Sequence, residues 1–136
     1  MATYNKFQCF VEDLAEKKHN LASDTLKVAF SNASNAPSAS ADAVLGDIST
    51  IATTNLDSVT LTVSSSSQTT GTYKLVVADK TLTATGDVPA FRYVIIYNDT
   101  AANDELICWY DYGSEVTLAS GDTFKLDFGT ELFSLA

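Results

Sequence analysis

Histidine is almost missing from this chain, His19 being the only one, and basic residues are scarce. Eight Lys and Arg face 17 Asp and Glu, for a formal charge of −9. Such a surface repels phosphate, which argues against nucleic acid or an anionic membrane as a partner. Cysteine occurs twice, as Cys9 and Cys108. Two separated thiols and one imidazole do not make a structural zinc site. A bridge between them is not excluded by their separation, but the opening MATYNKFQCF has neither a basic region nor an apolar core of the secretory type, so the expectation is free thiols in a reducing cytoplasm. No apolar run approaches membrane-spanning length. The chain also lacks a phosphate-cradling glycine loop and a nucleophile elbow. His19, expected at the end of a helix, has no nucleophile and orienting group at its side, so neither a catalytic residue nor a cofactor is assigned.

What is abundant is Ser, Thr and alternating apolar residues, the composition of short strands and turns. At 136 residues the chain reads as one domain with a core that needs no staples. Its centre is FRYVIIYNDTAANDELICWYDY, residues 91–112. Two apolar and aromatic runs there flank the polar hinge Asn98–Asp104. Strict alternation puts Phe91, Tyr93, Ile95 and Tyr97 on one face and Arg92, Val94 and Ile96 on the other. In the second run Leu106, Cys108, Tyr110 and Tyr112 oppose Ile107, Trp109 and Asp111. A hairpin apolar on both faces belongs in mid-sheet, covered on both sides.

Upstream, Tyr4, Phe7, Phe10, Val11 and Leu14 recur at three- and four-residue steps, predicting an amphipathic helix over about 4–19. Thr3 is its expected N-cap, Asp13–Lys17 a favourable pair and Asn20 the left-handed residue at its end. Its apolar stripe packs either on the chain's own sheet or on a neighbouring subunit. Cys9 projects away from that stripe beside acidic residues that raise its pKa. Leu26, Val28 and Phe30 alternate as a strand. Residues 31–43, SNASNAPSASADA, form a long loop expected to be mobile in the free protein or to lie along a neighbour in an assembly. Leu45, Ile48 and Ile51 suggest a short helical turn, and Val59, Leu61 and Val63 a strand. Ser64–Thr70 is a polar turn or strand extension. Tyr73–Ala78 and Thr81–Ala84 suggest a hairpin about Asp79-Lys80. Val116–Leu118 and Phe124–Phe128 add strands, and Leu132, Phe133 and Leu135 form an apolar tail. The fold class is therefore mainly β, a single-domain sandwich or flattened barrel with one N-terminal helix, with jelly-roll connections left open.

Two further patterns have ordinary explanations. Asp99, Asn103, Asp104 and Glu105 crowd oxygens into the hinge, but without the EF-hand spacing, and turn chemistry accounts for them without a metal. Asn98-Asp99-Thr100 matches a glycosylation pattern that carries little weight without a secretory signal. The aromatics Tyr93, Tyr97, Trp109, Tyr110 and Tyr112 either pack the core or, if exposed on a flat face, stack on sugars.

The segments NKFQCFVEDLAEKKHNL, SSSSQTTGTYKLVVADKTLTATGDV and PAFRYVIIYNDTAANDELICWYDYGSEVTLASGDTFKLDF resemble small virion proteins of tailed bacteriophages. That group shares a helix beginning N-K-F, an S-S-Q-T-x-G-T-Y-K-L hairpin, F-R-Y-[VI]-x-[IL]-Y-N-D-T and then W-[YW]-D-Y-G. The likeness spans nearly the whole chain, with Cys108 standing where a small residue such as Gly is expected. It implies a non-enzymatic capsid decoration or cement protein, made in the host bacterial cytoplasm and placed on the outer surface of the virion. There it bridges major capsid protein subunits, as a homo-oligomer or in multiple copies. The alternative is a tail or fibre component that is structural or binds a receptor or carbohydrate. Partner contacts are expected at Phe7, Phe10 and Val11 on the helix, at Asn35, Pro37 and Ser38 in the loop, and at Leu132, Phe133 and Leu135 in the tail.

Overall fold

The computed structural model describes residues 2–136. It is mainly β, with every sheet antiparallel. In chain order the elements are β1 (Thr3–Lys6), α1 (Cys9–Ala15), β2 (Leu26–Ser31), a 3₁₀ turn (Leu45–Asp47), β3 (Val63–Thr69), β4 (Thr72–Val77), β5 (Lys80–Thr83), β6 (Val88–Asn98), β7 (Leu106–Leu118), β8 (Thr123–Leu126) and β9 (Phe133–Leu135). They form a four-stranded sheet β1-β7-β6-β2, a three-stranded sheet β3-β4-β9 and the ribbon β5-β8.

The hairpin β6–β7 occupies the centre of the largest sheet, and both of its faces are covered. One face meets the other two sheets in a core containing Phe30, Leu75, Leu82, Ile96, Ile107 and Phe124. The opposite face, with Tyr93, Ile95, Leu106 and Trp109, lies under Phe7, Cys9 and the segment carrying Ala39, Leu45 and Ile48. The alternation expected along this hairpin is broken at two places, and a third irregularity lies just before it, between Val88 and Phe91. Ile96 pairs with Cys108 but Tyr97 with Leu106, so Ile107 is an extra residue in β7. This bulge puts Leu106 with Trp109 and leaves Ile107 in the same core as Cys108. Farther on, Tyr93 pairs with Asp111 and Phe91 with Val116, so Tyr112–Glu115 oppose Arg92 alone. Phe91 thereby joins Val94 and Ile96 in the larger core rather than sharing the face of Tyr93. Val116–Leu118 is the far half of β7, not a separate strand.

The helix is shorter than expected. Thr3–Lys6 pairs with β7, Tyr4 opposite Tyr110, and their rings meet edge-on at 5.5 Å. Tyr4 and Phe7 fit a helical step, but they also fit a strand running into a helix, and sheet pairing with β7 wins. Gln8 occupies the N-cap without a side-chain bond. The C-terminus is a Schellman arrangement. Lys18 N–H donates to the Asp13 carbonyl at 2.9 Å, Lys17 N–H donates to the Leu14 carbonyl at 3.3 Å, and Lys17 is left-handed at φ +67. Lys17, not Asn20, therefore ends the helix. The ion pair of the buried Asp13 is with Lys18, at 2.9 Å.

Two strand assignments also move. β4 does not fold back on β5; it pairs with β3 and β9, while β5 pairs with β8. The link between β4 and β5 is a corner. Ala78 N–H donates to the Thr62 carbonyl and Phe128 N–H to Asp79 Oδ1, each at 2.9 Å. Leu75, Val77 and Leu82 can then bury in one core while their strands join different sheets. Val59–Leu61 runs along the free edge of β2, where Val28 N–H donates to the Val59 carbonyl and Leu61 N–H to the Leu26 carbonyl, both at 2.9 Å.

Candidate binding surface

The remaining apolar surface gathers on one flank. Among the described residues, the large apolar side chains left exposed are Tyr4 (37%), Val11 (55%), Tyr112 (42%) and Leu135 (42%). The first, second and fourth line one groove of about 750 Å³ between β1, α1 and β9. Gly129, left-handed at φ +69, turns the chain between β8 and β9 and joins this groove to another of about 420 Å³ bearing Tyr112. On its other side, Leu14 and Leu135 are shared with a third hollow of about 380 Å³. The three form one furrow with a mostly apolar floor.

Each element contributes for a local reason. Phe10 is buried against Phe133 at 5.1 Å between ring centres, which fixes α1 against β9 and leaves Val11, one position on, facing outward. β9 is held only by β4, and β1 only by β7, so both present an unpaired edge. At the rim Glu131 accepts from the Thr130 hydroxyl and lies 3.6 Å from Lys74, and these partners hold its carboxyl below the usual range.

Of the residues assigned to partner contact, Phe10, Val11, Leu132, Phe133 and Leu135 converge on this groove. Phe7 does not. It is wholly buried on the opposite face of the sheet, 4.5 Å from Trp109. Pro37 is also buried, and Asn35 and Ser38 lie in a loop tied down along its length. Gln8 N–H donates to the Ala39 carbonyl at 2.9 Å, Ser38 N–H to Asp42 Oδ2 at 2.7 Å, and Asn35 Nδ2 to Asn32 Oδ1 at 2.8 Å. This segment covers the chain's own sheet. Tyr4, Lys6, Leu14 and Tyr112 complete the furrow without having been assigned to partner contact. Tyr4 and Leu14 stood on the apolar stripe and Tyr112 among the aromatics, whereas Lys6 carried no signal.

The polar residues have structural employment. Asn98 is fully buried at the end of β6. Its Oδ1 accepts from Thr100 N–H and Ala101 N–H, at 3.0 and 3.2 Å, and its Nδ2 donates to Asp24 Oδ2 at 2.7 Å and His19 Nδ1 at 2.9 Å. That saturated amide is out of reach of glycosylation in the folded chain. His19 is not at a helix end but buried beside Phe10, ring centres 5.3 Å apart. Nδ1 accepts, so the neutral ring carries its proton on Nε2, which has no partner among the described residues. Burial lowers the His19 pKa, against the opposing pull of Asp13, Glu105 and Asp24. Glu105 accepts from Asn103, and Asp99 pairs with Lys27 at 3.0 Å, so two of the three hinge carboxylates are engaged in turn bonds or ion pairs.

Both cysteines are free. Cys9 Sγ lies 3.6–4.0 Å from the carbonyls of Asp42, Ala43 and Leu106. Burial first, and Asp13 second, push its thiol up to about 11. Burial raises Cys108 well above the usual thiol range. Tyr93, Tyr97 and Trp109 are buried, so they form no flat stacking platform. Among the described residues no helix is long and apolar enough to cross a membrane.

Compared with protein-family models, with curated proteins and with solved structures, the chain matches none.

Proposed function

We propose that this protein is a non-enzymatic structural component of a tailed-phage virion. On this reading it decorates the outer capsid and stabilises it by bridging major capsid protein subunits. The observation that carries the surface-acting part of this reading is the furrow. A chain with a net charge of −9 keeps, among the described residues, three of the four exposed large apolar side chains in one groove between two unpaired strand edges. Clustered exposed apolar area of this kind suits a protein interface. The phage setting rests on the sequence motifs named above. Added contacts across subunit junctions strengthen a shell because disassembly must break them as well. An acidic surface suits a protein outside the shell, away from packaged DNA.

Two measurements test this. Cryo-EM of the virion should show repeated density over the capsid lattice, whereas density on the tail alone would reject decoration. Val11→Asp should abolish retention on purified shells while changing stability by no more than about 0.5 kcal/mol, since Val11 is exposed. Undiminished retention would remove the groove from the interface.

A further inference from the structure

The edges of this fold are not treated alike. β2 is covered by Val59–Leu61. β1, β5, β8 and β9 span only three or four residues each, and Lys6, Lys80 and Lys125 sit on three of them. These are the usual ways in which a folded chain discourages edge-to-edge pairing. β3 is the exception. It runs seven residues, Val63–Thr69, at the outside of its sheet, and its bulge, between Val63 and Ser65, is confined to the end far from the turn. It contains no proline, and no charged residue lies between Asp57 and Lys74.

The turn that follows determines which of its backbone groups are free. Thr70 and Gly71 have φ +51 and +86, the two-residue type I′ connection. In such a hairpin the closing pair, here Thr69 and Thr72, is hydrogen-bonded, and bonded pairs alternate from there. Ser67 and Ser65 thus bond to β4, whereas the N–H and C=O of Gln68 and Ser66 point away from it. Among the described residues, no backbone hydrogen bond outside the β3–β4 ladder reaches Ser64–Thr69.

We propose that a second copy of this chain pairs antiparallel with β3 about a two-fold axis at Ser66, joining two three-stranded sheets into one. Main-chain groups, not the small side chains, supply the recognition. A second copy fits better than a charged partner strand because two-fold pairing places Gln68 opposite Ser64 and Ser66 opposite itself. No charge meets charge there, although the two molecules repel each other elsewhere at −9 apiece. Self-pairing at β1, β5 or β8 would instead have to accommodate a lysine within a ladder of only four residues. This inference does not rest on the virion reading, and although Ser66 also lines the third hollow, β3 contributes nothing to the groove that Val11→Asp tests.

Sedimentation equilibrium over a concentration series should show mass rising towards that of a dimer, and dilution should move the amide NMR signals of Ser64–Thr69. Ser66→Pro removes an outward N–H, which an edge strand tolerates, but also costs the 2.8 Å bond between Ser66 Oγ and the Tyr73 hydroxyl. Ser67→Lys keeps that bond and adds a charge. Both variants should retain the wild-type circular dichroism and weaken association about tenfold or more, while Val11→Asp dimerises normally. A chain monomeric throughout the series overturns the proposal. So does a dimer indifferent to both β3 variants, or dilution shifts confined to other residues.

Discussion

The hinge end of the central hairpin and the furrow along its flank are built on opposite terms. At the hinge, Asn98 is fully buried, and all four of its side-chain hydrogen-bonding positions are filled from His19, Asp24, Thr100 and Ala101. Along the furrow, Val11, Tyr4 and Leu135 remain in contact with water above a floor that includes Phe10 and Leu132. A saturated polar node has nothing left to offer a partner, but its loss leaves several groups stranded at once. An open apolar groove contributes little to the free chain, yet it can give up water when covered. Stability and recognition are thus separable in this molecule, and each can be disturbed alone.

The largest disturbance should come from Asn98→Ala. It strands His19 and two turn N–H groups, leaves Asp24 with the Asn20 N–H alone, and should cost about 3 kcal/mol in chemical denaturation, with retention on shells unchanged where the variant is folded. A loss below about 1 kcal/mol would mean that water replaces the amide freely.

Acid should act on the same end. Burial lowers the His19 pKa in the folded chain, so below the ordinary value near 6.5 the unfolded chain binds a proton that the folded one resists. Stability should therefore be level above that pH and fall as pH drops from about 6.5 towards 5, by at most 1.4 kcal/mol per pH unit for one proton. His19→Gln should flatten this portion and leave the later decline, as Asp47, Asp57 and Asp111 lose the hydrogen bonds that depress their pKa values. An unchanged slope in the variant would remove His19 from the effect.

A smaller effect sits at the border between the two regions. Lys17 is left-handed without being glycine, and it lines the third hollow. Lys17→Gly should raise stability by about 0.5–1 kcal/mol, relief of the strained backbone outweighing the added freedom of the unfolded chain. A destabilised variant would show that the lysine side chain contributes more than its backbone costs.

The sequence made the centre legible because Phe91–Tyr97 and Leu106–Tyr112 are apolar on both faces, and only a covered strand accommodates that. The bulges at Ile107 and Tyr112–Glu115 were not legible. Period-two alternation carries no mark of an inserted residue until its partner strand is known. The helix was overextended for a related reason, since Tyr4 satisfies both the helical step and the strand that precedes it. The hairpin expected at Asp79-Lys80 failed because strand partners are chosen by tertiary packing, whereas the motif Ser66–Leu75 does fold as a hairpin, turning at Thr70-Gly71. Within the furrow the tail residues and Phe10 were anticipated from their apolarity, while Phe7 and Pro37 were assigned outward and lie inside. Apolarity alone does not distinguish a side chain that completes the core from one that waits for a partner.

The four residues Tyr112–Glu115 have a practical consequence. They stand exposed against Arg92 alone, and Arg92 is already clamped by Asp111 at 2.9 and 3.1 Å. Pairing before and after them is anchored separately, at Tyr93–Asp111 and at Phe91–Val116. The chain can therefore be lengthened between Gly113 and Ser114 without shifting either anchor, and a short foreign epitope grafted there should be displayed to antibody on a scaffold that melts at the parental temperature.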